Sequence, residues 1–263
     1  MMIKSFNKVK IFSKDVAITW FIPVLIILLW QLSVQSGWLS TRIMPAPWDV
    51  LNAGITLAKS GELTRHFLAS LERAVLGLLI GGSIGFFLGF ITGLSKIAQD
   101  LLDSTIQMIR NIPLLALVPL VVLWFGIGEV SKIFILSMAV FFPIYLNTFH
   151  GLRSVDKDLI EMGKVYGLSR YGLFKEVILP GAMPSILVGL RMSLGYMWLF
   201  LVVAETIAAN VGIGYMTMNA REFLQTDIMV LGILLYAFLG KSSDVLAGFL
   251  ERYTLKWHKG YQK

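Results

Sequence analysis

Residues 74–95 have the sequence AVLGLLIGGSIGFFLGFITGLS, which contains no charged side chain. The hydrocarbon core of a bilayer is about 30 Å thick, so a helix that crosses it needs about 20 mostly apolar residues. This stretch is long enough to cross by itself. It therefore predicts a membrane-spanning helix and an all-α membrane protein.

Glycine recurs at every fourth position of this stretch. That spacing places the glycines on one helix face, and a row of small residues lets another helix approach closely within lipid. We expect a tightly packed helix interface here. The pattern leaves open whether the interface is static or slides. The five glycines are Gly77, Gly81, Gly85, Gly89 and Gly93.

Other apolar stretches bring the predicted number of transmembrane helices to about six. Two of them are interrupted, one by Glu205 and one by Lys241 and Asp244. The composition agrees, because 56% of the residues are hydrophobic and only 15% are charged, against about 45–50% and 25% in soluble domains. The stretches are residues 16–41, 111–128, 133–152, 192–208 and 228–250.

The basic residues indicate the orientation. With the N-terminus in the cytoplasm, fifteen Lys and Arg residues, Arg110 among them, fall in cytoplasmic segments and five in outer segments. Cytoplasmic loops carry such an excess of basic residues, so both termini are predicted to be cytoplasmic. The net charge of +7 therefore reflects the membrane and does not indicate a nucleic-acid partner. The five outer residues are Arg42, Lys59, Arg65, Lys132 and Arg221.

The predicted organisation has four parts and no separate soluble domain. A cytoplasmic tail, residues 1–15, precedes a first transmembrane helix, residues 16–36. Residues 64–250 form the main transmembrane domain with a cytoplasmic loop at 153–180, and residues 251–263 form a second tail. The chain contains no cysteine and its three histidines are far apart in sequence, so no metal site is expected.

The loop at 153–180 has the pattern of two short helices. Asp156 can cap the first, Gly167 can end it in the left-handed conformation, Ser169 can cap the second, and Pro180 is expected to stop it. The product is a compact helix–turn–helix with an apolar face; a hairpin lying on the bilayer surface is the alternative. The apolar face of the first helix comprises Leu159, Met162, Gly163 and Tyr166.

The spacing within this loop resembles the signature E-A-A-x3-G-x9-I-x-L-P of ABC importer permeases. Glu161, Gly167, Leu179 and Pro180 match it directly, whereas Met162 and Gly163 replace the two alanines and Val177 replaces the isoleucine. The resemblance implies a type I ABC importer permease fold. It also implies that these seven residues couple the chain to a separate ATPase, with the loop inserted into a cleft of that subunit.

Further segments resemble the nitrate, sulfonate and taurine branch of these permeases, and the aliphatic sulfonate permeases most of all. They are residues 110–113 (RNIP), 123–126 (LWFG), 142–145 (FPIY), 219–227 (NAREFLQTD) and 37–42 (GWLSTR). The resemblance implies a homodimer in the bacterial inner membrane that takes an anionic substrate from an extracytoplasmic binding protein. Aliphatic sulfonates are the expected substrates, with nitrate, taurine or another small molecule as alternatives.

The chain is not expected to bind ATP. Gly240-Lys241-Ser242 resembles the end of a phosphate-binding loop, but position 235, where its first glycine should stand, is leucine, so the backbone cradle for phosphates is missing. ATP and Mg²⁺ are expected on the partner ATPase, with no cofactor in this chain and no catalytic role. An ion-coupled secondary transporter is the alternative of another class.

Three residues, Asn111, Pro113 and Glu205, are candidates for lining the translocation path. Asn111 and Pro113 precede the third span, and transporters often build pathways from broken helices, although prolines are common in transmembrane helices anyway. Glu205 lies near the outer end of the fifth span, where it could line a gate or contact the binding protein.

Overall fold

The structure is a computed structural model of the chain and describes residues 21–41 and 43–257. The N-terminal tail, the start of the first predicted transmembrane helix, Arg42 and the last six residues lie outside this part of the chain. The described residues contain helices and connecting turns and no β-strand, which agrees with the predicted all-α class.

Eleven helices and one π-helical turn follow one another within the described residues. They are α1 (Phe21–Gln35), α2 (Pro47–Lys59), α3 (Glu62–Leu94), α4 (Lys96–Arg110), α5 (Leu114–Phe125), α6 (Glu129–Arg153), α7 (Lys157–Val165), α8 (Arg170–Leu173), the π turn (Phe174–Ile178), α9 (Leu179–Ala208), α10 (Ile213–Glu222) and α11 (Thr226–Thr254).

Four helices of the described chain are long and apolar enough to cross a membrane. They are α3, α6, α11 and the continuous segment Arg170–Ile207 formed by α8, the π turn and α9. The pair α4 and α5 passes the same test only when the two are taken together, which gives up to five spans. The first predicted span falls on α1, whose described part, Phe21–Gln35, is shorter.

The third span is shorter than the predicted charge-free stretch at 111–128. Helix α5 has only 12 residues, or about 18 Å, and α4 and α5 are bent by 96° relative to each other. The break falls at residues 111–113, because a proline disfavours the helical conformation of the residue before it, here Ile112. Pro113 itself is extended, with φ −60° and ψ 114°. Pro119 lies inside α5.

The glycine face of α3 packs directly on the backbone of α6. A Cβ atom on Gly85 would lie 2.6 Å from the Phe141 carbonyl oxygen, and one on Gly89 would lie 2.6 Å from that of Tyr145. Gly81 meets the Ser137 backbone in the same way, whereas Gly77 and Gly93 lie against the side chains of Leu136 and Leu152. Residue numbers rise together along the two helices, so α3 and α6 run parallel.

The chain divides into two compact units. The described part of the first lies within Met1–Leu63 and Thr217–Ile233. Within it, the Trp48 amide donates to the Gln31 side-chain oxygen at 3.3 Å, and the Thr226 hydroxyl donates to the Thr41 carbonyl oxygen at 3.3 Å. These two hydrogen bonds join α1 to the start of α2, and the start of α11 to the segment after α1.

The second unit comprises Thr64–Met216 and the described part of Leu234–Lys263. Helix α6 packs along α9 in this unit. Glycines again allow the close approach, since a Cβ on Gly189 would lie 2.9 Å from the Pro143 carbonyl oxygen and one on Gly151 would lie 3.0 Å from that of Ala182. All sites described below lie in this unit.

Candidate coupling loop and translocation cavity

The loop between α6 and α9 begins as the sequence predicts. Asp156 caps α7 by accepting a hydrogen bond from the Asp158 amide at 2.9 Å. Gly167 ends the helix in the left-handed conformation with φ +79°, and its amide donates to the Lys164 carbonyl oxygen at 3.0 Å. Ser169 caps α8 through the Gly172 amide at 3.1 Å.

Gly163, in the third position of the signature, is a packing residue. It is buried, and a Cβ atom there would lie 2.8 Å from the Leu173 side chain and 3.5 Å from that of Val177. A small residue at this position therefore lets α7 lie closely over α8 and the π turn. Val177 packs in turn against a small core of Leu152, Val155 and Ala182.

The expectation that Pro180 stops the second helix is wrong. Helix α8, the π turn and α9 form one continuous segment, Arg170–Ile207, and Pro180 lies in the first turn of α9. The Leu179 amide bonds to the Phe174 carbonyl oxygen, five residues back. A π turn changes the hydrogen-bond register, and a proline at that change removes no regular helical bond. The loop is therefore joined rigidly to the fifth span.

The outer surface of the loop is unusually apolar. Val165 is 86% exposed, Tyr166 80% and Tyr171 72%, while Glu161 and half-exposed Met162 lie on α7 beside them. Exposed apolar groups of this kind mark an interaction surface. A hollow of about 720 Å³ adjoins it, lined by Leu159, Met162, Gly163, Tyr166, Leu168, Glu176, Val177, Pro180, Gly181 and Trp257.

A cavity of about 450 Å³ lies where the α4–α5 break meets α6 and α9. Two of the three residues guessed for the path, Asn111 and Pro113, line it, whereas Glu205 does not. Its walls are Arg110, Asn111, Ile112, Pro113 and Leu114 from the break, Met138, Ala139, Phe142, Pro143, Leu146 and Asn147 from α6, and Met192, Tyr196 and Phe200 from α9.

Arg110 lies beside the middle of α6, one of the candidate spans. Helix α4 runs antiparallel to α6, because Gln99 bonds to Arg153 at the end of α6 and Asp103 accepts from Tyr145 nearer its middle at 2.9 Å. Cavity residues 138–147 lie about 14–27 Å along α6, a helix of 25 residues and about 37 Å. This position does not agree with counting Arg110 among the cytoplasmic charges, and removing it leaves fourteen basic residues against five.

The cavity carries polar donors among its apolar walls. Asn147 donates its amide to the Pro143 carbonyl oxygen at 2.9 Å. Within the described chain, the guanidinium of Arg110, the amide of Asn111 and the hydroxyl of Tyr196 have no hydrogen-bond partner. Three side chains with unused donors therefore face one compartment.

Glu205 lies instead at the centre of a buried ionic network. Its side chain is only 1% exposed and accepts four hydrogen bonds. The donors are the Ser70 hydroxyl at 2.7 Å, the Arg73 guanidinium at 2.7 Å, the Gly214 amide at 2.7 Å and the Tyr236 hydroxyl at 3.0 Å. Four donors satisfy the carboxylate fully, so its charge is held within this chain.

Arg73 extends the network to α6 and to the turn before α10. It makes two hydrogen bonds to Glu129, at 2.6 and 2.8 Å, and donates to the Val211 carbonyl oxygen at 2.6 Å. Lys132 also bonds to Glu129 at 2.7 Å, and the Gly212 amide donates to His66 at 3.0 Å. The network ties α3, α6, α9 and α11 to residues 211–214.

Arg73 and Ser70 were not predicted from the sequence as functional residues. Arg73 stands directly before the charge-free stretch, and His66, Ser70 and Arg73 are spaced at i, i+4 and i+7 on one face of α3. A polar face on an otherwise apolar helix is a signal for buried pairing. The opposite charges of Glu205 and Arg73 would have been enough to suggest that the two residues pair.

The fold and these sites define a class: a polytopic α-helical membrane protein with a short helical loop, residues 153–180, before one of its spans. Residues 74–256 match the family described as binding-protein-dependent transport system inner membrane component. The chain belongs to this family, which confirms the resemblance seen in the loop. It is therefore the multi-pass, non-catalytic permease subunit of an ABC importer, and it works with a separate ATPase and a substrate-binding protein.

Several relatives cover most of the chain. The protein assigned as the aliphatic sulfonates transport permease SsuC of Escherichia coli (strain K12) is 58% identical over 92% of both chains, and that of Bacillus subtilis (strain 168) is 43% identical over 92% of this chain and 87% of its own. The taurine transport system permease protein TauC of Escherichia coli (strain K12) is 39% identical over 84% and 82%.

One solved structure is similar in fold. A chain of the crystal structure of an amino acid ABC transporter with histidines superimposes with a TM-score of 0.57 at 18% identity, covering 76% of this chain and 97% of that one. This likeness supports the type I importer fold.

Proposed function

We propose that the chain forms the translocation path of an importer for aliphatic sulfonates. The observation that carries the proposal is the 58% identity, over 92% of both chains, to a relative assigned as an aliphatic sulfonates transport permease. The cavity supports it, because unpaired donors suit an anionic head and apolar walls suit an alkyl chain. Nitrate and taurine are the competing substrates of the same class.

We propose that residues 153–180 form the contact with the ATPase, which binds the ATP and Mg²⁺. Glu161 and Met162 would contact the ATPase directly, while Gly163, Gly167 and Val177 keep the loop in shape. Leu179 and Pro180 would pass its movement into α9. The continuous segment Arg170–Ile207 supports this assignment, since a rigid helix transmits displacement along its length.

The assembly is proposed to be a homodimer in the bacterial inner membrane with both termini in the cytoplasm. One chain supplies a single docking loop, so a second copy would provide the second loop for a pair of ATPases. The orientation rests on the excess of basic residues on one side. Exposed apolar side chains of α3, such as Leu79 and Phe87, would face membrane lipid.

Asn111 and Pro113 are proposed to line the path. Glu205 is proposed to act on the path indirectly, by holding residues 211–214 in place, because its carboxylate is fully engaged inside the network. The glycine face of α3 is proposed to keep α3 and α6 together as one rigid unit during transport.

The growth of a deletion strain on defined sulfur sources tests which substrate the importer carries. A strain that lacks this permease, and has no redundant sulfonate transporter, should fail to grow on an alkanesulfonate as sole sulfur source and should grow normally on sulfate. Restoring the gene should restore growth. Unimpaired growth of the deletion strain on alkanesulfonates would remove the sulfonate assignment. If the strain grows on alkanesulfonates but not on taurine as sole sulfur source, or not on nitrate as sole nitrogen source, the competing substrate is identified.

A further inference from the structure

We infer that Arg110 is the anion-recognition residue of the permease itself and binds the sulfonate head group within the transmembrane cavity. This inference rests on the proposed function and assigns a substrate contact inside the membrane, separate from recognition by the binding protein. Asn111 and Tyr196 complete the polar side of the site.

The position of Arg110 is costly without such a role. A charged side chain at membrane depth disfavours insertion into the bilayer, and such residues normally pair with an opposite charge. Arg73 does so with Glu129 and Glu205, and Arg191 does so with Asp244 and Glu251. Arg110 has no carboxylate partner among the described residues, although it lies beside the middle of α6.

The cavity supplies what an anion would need. Guanidinium groups bind tetrahedral or planar oxyanions through paired N–H donors. Asn111 and Tyr196 add an amide and a hydroxyl, each without a hydrogen-bond partner in the described part of the chain. A sulfonate could thus accept hydrogen bonds from three exposed side chains that make no hydrogen bond within the described part of the chain.

The remaining walls fit the other end of the same molecule. Phe142 and Leu146 on α6 and Met192 on α9 present apolar surface to the cavity. Met192 is 47% exposed, and its flexible thioether can adapt to chains of different length. A charged head and an alkyl tail would each find a matching wall within about 450 Å³.

The test uses the complete transporter, with its ATPase and binding protein, reconstituted into lipid vesicles. Uptake of radiolabelled butanesulfonate and ATP hydrolysis stimulated by the loaded binding protein are measured for Arg110→Gln, Arg110→Lys and the control Lys96→Gln. Lys96 is on the same helix and forms only an exposed pair with Asp100 at 3.7 Å, so its loss changes the charge of α4 without touching the cavity.

Arg110→Gln should lower uptake about tenfold or more, as expected for loss of hydrogen bonds to a charged group. ATP hydrolysis stimulated by the loaded binding protein should stay within about twofold of normal, because the ATPase can complete its cycle without the contact between Arg110 and the substrate. Arg110→Lys should retain a substantial part of uptake, and Lys96→Gln should transport normally. Normal uptake by Arg110→Gln, or equal loss in Arg110→Gln and Arg110→Lys, would overturn the inference.

Two further measurements keep the inference testable. If Arg110→Gln fails to copurify with the ATPase, Asn111→Asp serves instead, since it sets a negative charge beside the intact arginine; it should reduce uptake, and normal uptake overturns the inference. Met192→Ala should reduce uptake of octanesulfonate more than that of methanesulfonate, and equal effects would overturn the assignment of the tail. Failure of the unsubstituted transporter to take up any alkanesulfonate would instead refute the proposed function.

Discussion

At the scale of single residues, Glu205 shows why a buried charge need not be a transport residue. Its four donors come from α3, α11 and Gly214 at the start of α10, and the Arg73 side chain that pairs with it is only 4% exposed. Removing one member of such a pair leaves an uncompensated charge, which costs more than the pair itself contributes.

Glu205→Ala should therefore destabilise the fold by about 3–5 kcal/mol, measured as a lower midpoint of thermal unfolding of the purified complex in detergent. The double variant Glu205→Gln with Arg73→Met should recover part of the loss, because neither charge is then left alone. Lys96→Gln should leave the midpoint nearly unchanged. A Glu205→Ala protein as stable as the original would contradict the role given to the network.

Gly167 is the second residue whose conformation decides its role. A Cβ atom there would meet nothing within 4 Å, so the positive φ of +79° alone restricts substitution. Gly167→Val should cost about 1–2 kcal/mol in the loop and reduce copurification with the ATPase. Gly167→Asn should retain binding, because asparagine tolerates this conformation. Equal binding by both variants would show that the turn does not shape the docking surface.

At the scale of helices, the α3–α6 contact depends on the absence of side chains. Gly85→Ala should lower the thermal unfolding midpoint, because its methyl group would lie 2.6 Å from a carbonyl oxygen of α6. Gly240→Ala is the matched control, since nothing lies within 4 Å of that position and alanine favours helix by about 1 kcal/mol. The prediction fails if both substitutions have the same effect.

The sequence predicts the helices well where local rules decide them. Span length and the loss of charge locate α3 and α6, and Asp156, Gly167 and Ser169 mark the boundaries of α7 and α8. It does not predict which proline breaks the third span, since Pro113 and Pro119 look alike locally. It also does not predict the π turn that lets the helix continue through Pro180, because the residues of that turn pack against Leu152 and Val155, which lie at the other end of the loop, and against Ala182.

At the scale of the whole molecule, the features that the sequence does not predict are contacts between residues far apart in the chain. Ser70 and Glu205 are 135 residues apart, and no local pattern joins them. The cavity likewise needs three separate helices. The charge asymmetry survives the removal of Arg110 because the remaining basic residues still divide fourteen to five. Class and family could therefore be predicted, whereas the buried network and the depth of Arg110 required the fold.

The energy source of uptake tests the account most directly. Vesicles containing the permease and its ATPase, with binding protein outside and ATP inside, should accumulate butanesulfonate only when all components are present. An ionophore that collapses proton and sodium gradients should leave uptake unchanged, and an ATPase variant that cannot hydrolyse ATP should abolish it. Uptake that continues without ATP and stops with the ionophore would contradict the account and indicate an ion-coupled transporter.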